Sequence, residues 1–113
     1  MEISETKRGG AVILALSGRL DASNAPELEG KLLGLIAGGD RRLVVDCGQL
    51  DYINSAGLRA LLVAAKRLNP SGGKIVLAAL KDQIKEVFDI AGFSSIFQIH
   101  GTQDEALAAL RSM

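Results

Sequence analysis

The sequence predicts a single α/β domain spanning residues 1–113, with an N-terminal hairpin joined to a mixed, centrally parallel sheet that is packed with about four helices. Three observations predict it. Short Val- and Ile-rich runs alternate with helical stripes after an opening Gly-Gly turn, the pattern of strand-helix-strand units. A chain of 113 residues has room for one core and not two. Its 48% apolar and 23% charged composition is that of a globular chain that folds by itself.

The elements follow in order. Ile3 to Arg8 alternate loosely, Gly9-Gly10 signal a turn, and Ala11 to Leu16 is an apolar run of strand type, together a hairpin. Asn24, with Pro26 after it and Glu27 at capping-box spacing, predicts a helix start. Leu28, Leu32, Leu35 and Ile36 form its buried stripe, and Gly38-Gly39 end it. Arg42 to Asp46, "RLVVD", is an apolar run with polar ends and predicts a central strand covered on both faces. A second helix is expected near Ser55, with Leu58, Leu61, Leu62, Ala65 and Leu68 on one face and "NPSGG" as its stop. Lys74 to Ala78, "KIVLA", predicts another central strand. Ile84, Val87, Phe88 and Ala91 mark a third helix that Gly92 breaks, and Ile96 to Ile99 a short edge strand. Thr102 to Glu105 offer a capped start for a last helix carrying Ala106, Leu107 and Leu110.

Charge and composition narrow the function classes. Thirteen basic and thirteen acidic side chains cancel, leaving no global field to gather nucleic acid or anionic lipid. The lone Cys47 excludes an internal disulfide and a Cys-rich metal site, and it suits a reducing compartment. The start "MEISETKRGG" lacks signal-peptide shape, and no run approaches the roughly 18 apolar residues of a membrane span, so a cytoplasmic protein without membrane insertion is expected.

The most informative stretch is "LDYINSAGLRALL", residues 50–62, where the small polar cluster Asn54-Ser55-Ala56-Gly57 precedes an apolar helix. With Asp46 ending a strand, it reads as a strand-to-helix connection at the carboxyl end of a parallel strand, the edge where α/β sheets meet ligands and partners. Helix-start N–H groups favour an anion, and Ala56 and Gly57 keep side-chain bulk away from them, so a phosphate on Ser55 would be well received. Two plainer uses stand beside this reading: Asn and Ser as caps, and small residues for close helix packing.

These residues resemble the STAS family, specifically its stand-alone bacterial anti-sigma factor antagonists, over nearly the whole chain. "LDYINSAGLRALL" is similar to the family's Asp-Ser-(Ser/Ala/Thr)-Gly-Leu segment, whose serine is the regulatory phosphorylation site; Ser55, Gly57 and Leu58 match it. "LSGRLDASNAPEL" is similar to its Gly-x-(Leu/Ile)-Asp segment, placing Asp21 at the partner-binding surface, and "VFDIAGFSSIFQI" looks like its third helix and following strand. The resemblance implies a non-enzymatic binding module without cofactor or metal. It sequesters an anti-sigma factor that is also a serine kinase, is switched off by phosphorylation on Ser55, and is restored by a PP2C-type phosphatase. Asp21, Asn54, Ser55, Ala56, Gly57, Leu58 and Arg59 would form the partner surface. Two positions depart from the family pattern. Asn54 stands where Asp is usual, and it keeps the cap oxygen. Arg59 stands where a second Gly is usual; it either softens the switch by pairing with phosphoserine one turn away, or tunes partner choice, or is simply solvated.

Other residues carry less. His100 is the lone histidine, expected in a loop, and without a Gly-x-Ser-x-Gly elbow a serine hydrolase is disfavoured. Gly9-Gly10 and Gly72-Gly73 read as turns and not phosphate loops. Cys47, placed just past the central strand, is expected as a buried small hydrophobe. Tyr52 and Ile53 read as packing, with Tyr52 a possible interface residue. The alternative to the phospho-switch keeps the fold and drops the modification: a structural STAS subunit such as the cytoplasmic partner of a lipid-transport ATPase, in which Ser55 only caps a helix.

Overall fold

A computed structural model describes residues 1–111. The chain runs β1 (Glu2–Arg8), β2 (Ala11–Leu20), α1 (Ala25–Ala37), β3 (Arg42–Ile53), α2 (Ser55–Leu68), β4 (Lys74–Ala78), α3 (Asp82–Ile90), β5 (Gln98–His100) and α4 (Gln103–Arg111), with short 3₁₀ turns at Asn69–Ser71 and Phe93–Ser95. The five strands lie in chain order, β1 antiparallel to β2 and every later pair parallel. Gly9 and Gly10 both take positive φ, 56° and 83°, which a two-residue hairpin turn needs to match strand twist.

That strand order explains the layers. A sheet that grows in one direction by right-handed crossovers puts every crossover helix on the same face. Accordingly α1, α2 and α3 share one core with Leu14, Leu16, Leu20, Val45, Cys47, Leu50 and Ile53. The opposite face, with Ala11, Ile13, Val44, Val76 and Ala78, is closed by Ala106, Leu107 and Leu110 of α4. Thr102 caps α4, its Oγ1 accepting from Glu105 N at 3.1 Å, as the sequence suggested. Gln103 Nε2 then donates to Asp46 Oδ2 at 2.9 Å and ties the helix to the sheet. Phe88, Phe93 and Phe97 fill the far end of the core as mutually contacting rings with centroids 6.2–6.4 Å apart.

Several sequence expectations are corrected. The central strand does not end at Asp46 but runs on to Ile53, and Cys47 lies inside it, fully buried. Between Ala15 and Ser17 β2 advances two residues while β3 advances three, and between Gly18 and Arg19 one against two. These bulges give β3 extra residues, so its later buried positions, Cys47, Leu50 and Ile53, recur every third residue and hide the two-residue strand period. β2 likewise continues beyond Leu16 to Leu20. The Asn24–Glu27 capping box does not form: Asn24 makes no side-chain cap, because its Oδ1 accepts from Asp21 N at 2.9 Å and its Nδ2 donates to Arg19 O at 2.7 Å. On α2 the buried side is Leu58, Ala60, Leu61, Ala64 and Leu68, leaving Leu62 and Ala65 half-buried. Val87 is half-buried and Ala91 exposed beside Ile84 and Phe88. The edge strand begins at Gln98, two residues later than expected, with Ile96 52% exposed, and His100 is its last residue and not in a loop.

Candidate functional site

The carboxyl ends of β2 and β3 stop together, with Leu20 paired to Ile53 and Asn54 N donating to Leu20 O at 3.3 Å. A single residue, Asn54, then separates β3 from α2. This junction brings Asp21, just after β2, alongside the Asn54–Arg59 helix start.

Asn54 is the cap of α2. Its extended backbone, φ −125° and ψ −172°, lets Oδ1 accept from Ala56 N at 3.1 Å and, more weakly, from Gly57 N at 3.4 Å. Two of the helix-start donors are therefore already used, and the open anion nest expected from sequence is smaller than the motif suggested. The same fact removes the capping role from Ser55. Ser55 is the first helical residue and exposed, so its hydroxyl is available to solvent.

Gly57 serves packing. A Cβ there would sit 2.7 Å from Leu20 Cγ and 2.9 Å from Ile53 Cγ1, so the helix can approach the ends of β2 and β3 only where the side chain is missing. This favours the packing use of the small residues over clearance for an anion. Leu58 is buried in the core beneath, whereas Ala56 is half-buried and Arg59 exposed. Ala56 and Arg59, with Ala22, Ala25, Pro26 and Glu29 from the α1 side, line a shallow groove of about 200 Å³ next to Ser55. Among the described residues Arg59 forms no ion pair.

Asp21 is held rather than free. Its Oδ1 accepts from Ser23 Oγ at 2.6 Å and Ser23 N at 3.0 Å, and its carbonyl accepts from Asn24 N and Ala25 N. The Ser23 hydroxyl first, then the Ser23 N–H and the nearby Arg19 charge, hold the Asp21 carboxyl below its ordinary value, so it is ionised at neutral pH. It places one fixed negative charge just after β2, next in sequence to Ala22, which lines the groove.

Sequence reasoning missed two further features of this edge. Arg19 stacks on Tyr52, its guanidinium carbon 4.0 Å from the ring centroid, and Tyr52 is 37% exposed. Lys81, arriving from the β4–α3 turn, pairs with Asp51 at 2.5 Å. The contacts span 33 and 30 residues of chain, and no local spacing signals either. His100 ends β5, two strands from β3, so it is not on the strand that leads into Ser55. Among the described residues the strand order never reverses, so the carboxyl edge lacks the topological switch point at which nucleotide-binding sheets open their crevice. What it presents is a shallow groove with the exposed Ser55 next in sequence to its Ala56 wall.

The model of the STAS domain matches residues 2–106. A Bordetella bronchiseptica protein named as an anti-sigma factor antagonist, BtrV, is 42% identical over 112 residues, 99% of this chain and 97% of that one. The crystal structure of an anti-sigma factor antagonist from Mycobacterium paratuberculosis superposes with a TM-score of 0.89 at 24% identity, covering 97% of this chain and 93% of that one. The Bacillus cell fate determinant SpoIIAA in its phosphorylated form superposes with a TM-score of 0.75 at 19% identity, covering 96% and 98%. At such identities the two structures speak for the fold.

Proposed function

The chain belongs to the STAS domain family, and from that premise we propose that it is an anti-sigma factor antagonist: a non-enzymatic binding module of the cytoplasm that sequesters an anti-sigma factor with serine-kinase activity and is switched off by phosphorylation of Ser55. The name of the 42%-identical relative supports the antagonist role. The observation that carries the switch is the division of labour at the α2 start. Asn54 supplies the cap, so the exposed Ser55 hydroxyl can be modified without unmaking the helix. A shallow, switch-point-free edge suits docking of a protein surface better than burial of a small substrate.

The mechanism is electrostatic. Phosphorylation adds about −1.5 to −2 charges at a neutral contact and three strong acceptor oxygens. Asp21 already sets one negative charge beside it, so the modified edge repels an acidic or apolar partner while the core beneath is untouched. Removal by a PP2C-type phosphatase restores the neutral surface. Arg59, on the same helix face one turn away and without an ion-pair partner among the described residues, tempers the added charge.

Phosphosite mass spectrometry on the protein from its native host, with Ser55→Ala as control, tests this. A mark at residue 55 that disappears in the control is expected. Its absence under every growth condition would leave a constitutive binding subunit and sink the switch.

A further inference from the structure

The sheet has one long unpaired edge. β1 begins the strand order, so among the described residues nothing pairs with its outer side. Its seven residues keep an unbroken register with β2 and include no proline, and all but Ile3 are exposed. A straight, exposed edge of this length offers a row of backbone N–H and C=O groups to another strand. β5, at the opposite edge, is only three residues long.

Natural sheet edges are commonly guarded by charge, and β1 carries four charged side chains. Two of them are drawn over the faces of their own chain. Glu5 reaches Lys31 of α1 at 2.8 Å, whereas Arg8 crosses the other face and donates to Gln103 Oε1 at 2.6 Å and Asp104 Oδ1 at 3.0 Å on α4. Strand alternation accounts for the split: Ile3 packs on the α1–α3 core and Glu5 and Lys7 share its side, while Ser4, Thr6 and Arg8 take the α4 side. The backbone edge between them stays uncovered.

The charges also run in one direction along the strand. The acids Glu2 and Glu5 come first and the bases Lys7 and Arg8 last, so an antiparallel copy of this strand can set unlike charges opposite each other, and a parallel one in register cannot. A two-fold axis perpendicular to the sheet keeps each face on its own side, so residues of equal parity stand opposite and the axis passes through one residue pair. Placed at Glu5, the axis opposes Glu5 to itself. Placed at Ser4, it opposes Glu5 to Ile3. Placed at Thr6, it opposes Glu5 to Lys7 twice, Ser4 to Arg8 twice and Thr6 to Thr6, a favoured cross-strand pair, with no like charges opposed.

We propose that β1 is a self-association edge that takes β1 of a second copy of this chain, antiparallel about Thr6, and joins two five-stranded sheets into one. The inference does not rest on the phospho-switch. The axis turns the carboxyl ends of the two β3 strands in opposite directions, so both Ser55 edges stay open to a partner.

The test is sedimentation velocity on the whole chain from micromolar to millimolar concentration. A reversible monomer–dimer equilibrium is expected, and a weak one, because a single strand pair buries little area. Glu5→Lys and Lys7→Glu should each weaken it about tenfold or more, since either change opposes like charges at both symmetric positions. Both positions are exposed, and the Lys31 bridge lost with Glu5 is a surface pair that contributes little to folding, so native far-UV CD will show that the variants are folded. An equimolar mixture of the two variants should dimerise about as well as wild type, because the two bases of one chain then face the two acids of the other. A wild type that is monomeric at millimolar concentration, a dimer indifferent to both substitutions, or a mixture that stays monomeric would overturn the proposal.

Discussion

Replacing Gly57 with alanine sets two effects of opposite sign against each other. Alanine is the better helix former by about 1 kcal/mol in a helix interior, and less in the first turn where residue 57 sits. Against this, the new Cβ would lie 2.7 Å from Leu20 Cγ and 2.9 Å from Leu20 Cδ2 and Ile53 Cγ1. Leu20 is 0% exposed and Ile53 3%, so neither side chain can swing into solvent. The contacted atoms include a branch carbon, which moves only with the strand or a change of rotamer. Overpacking of this kind costs about 1–3 kcal/mol, so steric strain wins and the variant should lose about 1–2 kcal/mol. For a chain of this size that is a fall in Tm of roughly 3–10 °C. Gly30→Ala is the matched control: it lies inside α1 with nothing within 4 Å of the added Cβ, and should gain about 0.5–1 kcal/mol. Urea and thermal unfolding followed by far-UV CD will measure both. A Gly57→Ala protein as stable as wild type, beside a stabilised Gly30→Ala, would refute the close-approach argument.

The cap assignment predicts that Asn54→Ala costs about 1 kcal/mol in urea unfolding, whereas Ser55→Ala changes stability by less than about 0.5 kcal/mol; the reverse order would return the cap to Ser55. For Arg59→Gly, calorimetric titration of the proposed partner kinase should show a wider affinity gap between the Ser55-phosphorylated and free forms, and an unchanged gap would retire Arg59 as a moderator. Burial first, and the neighbouring Asp46 charge second, push the Cys47 thiol up from 9.0 to about 12. The unfolded thiol therefore ionises above pH 9 while the folded one stays protonated, so the stability contributed by neutral burial is present below pH 9 and lost as pH rises towards 12. Thiol-reagent labelling at pH 8 should be blocked until denaturant unfolds the chain, and rapid native labelling would show that Cys47 is accessible.

Much of the fold was legible because each element states its own boundaries. Gly9-Gly10 marks the hairpin, "KIVLA" coincides with β4, and the Thr102–Glu105 cap starts α4. These signals are local: turn chemistry, apolar period and side-chain capping act over a few residues, and a sequence displays them directly. Ser55 as the first residue of an apolar helix was legible for the same reason. The same local reading failed where the chain's neighbours decide. The apolar run 42–46 understates β3 because bulges against β2 break its two-residue period. The Asn24–Glu27 spacing predicts a capping box, but the Asn24 side chain is taken by Asp21 N and Arg19 O. For Gly57 the sequence leaves anion clearance and close packing both open, and only the approach of Leu20 and Ile53 decides for packing.

By itself, then, the sequence determined the order and type of the elements, the single-domain scale and the serine that opens α2. Tertiary structure alone decided that α1, α2 and α3 share one face with α4 opposite, because crossover handedness is a property of successive strands together. It also decided which side chains meet at the carboxyl edge. Arg19 with Tyr52 and Asp51 with Lys81 are brought together by strand register and helix packing, distances that no spacing along the chain encodes.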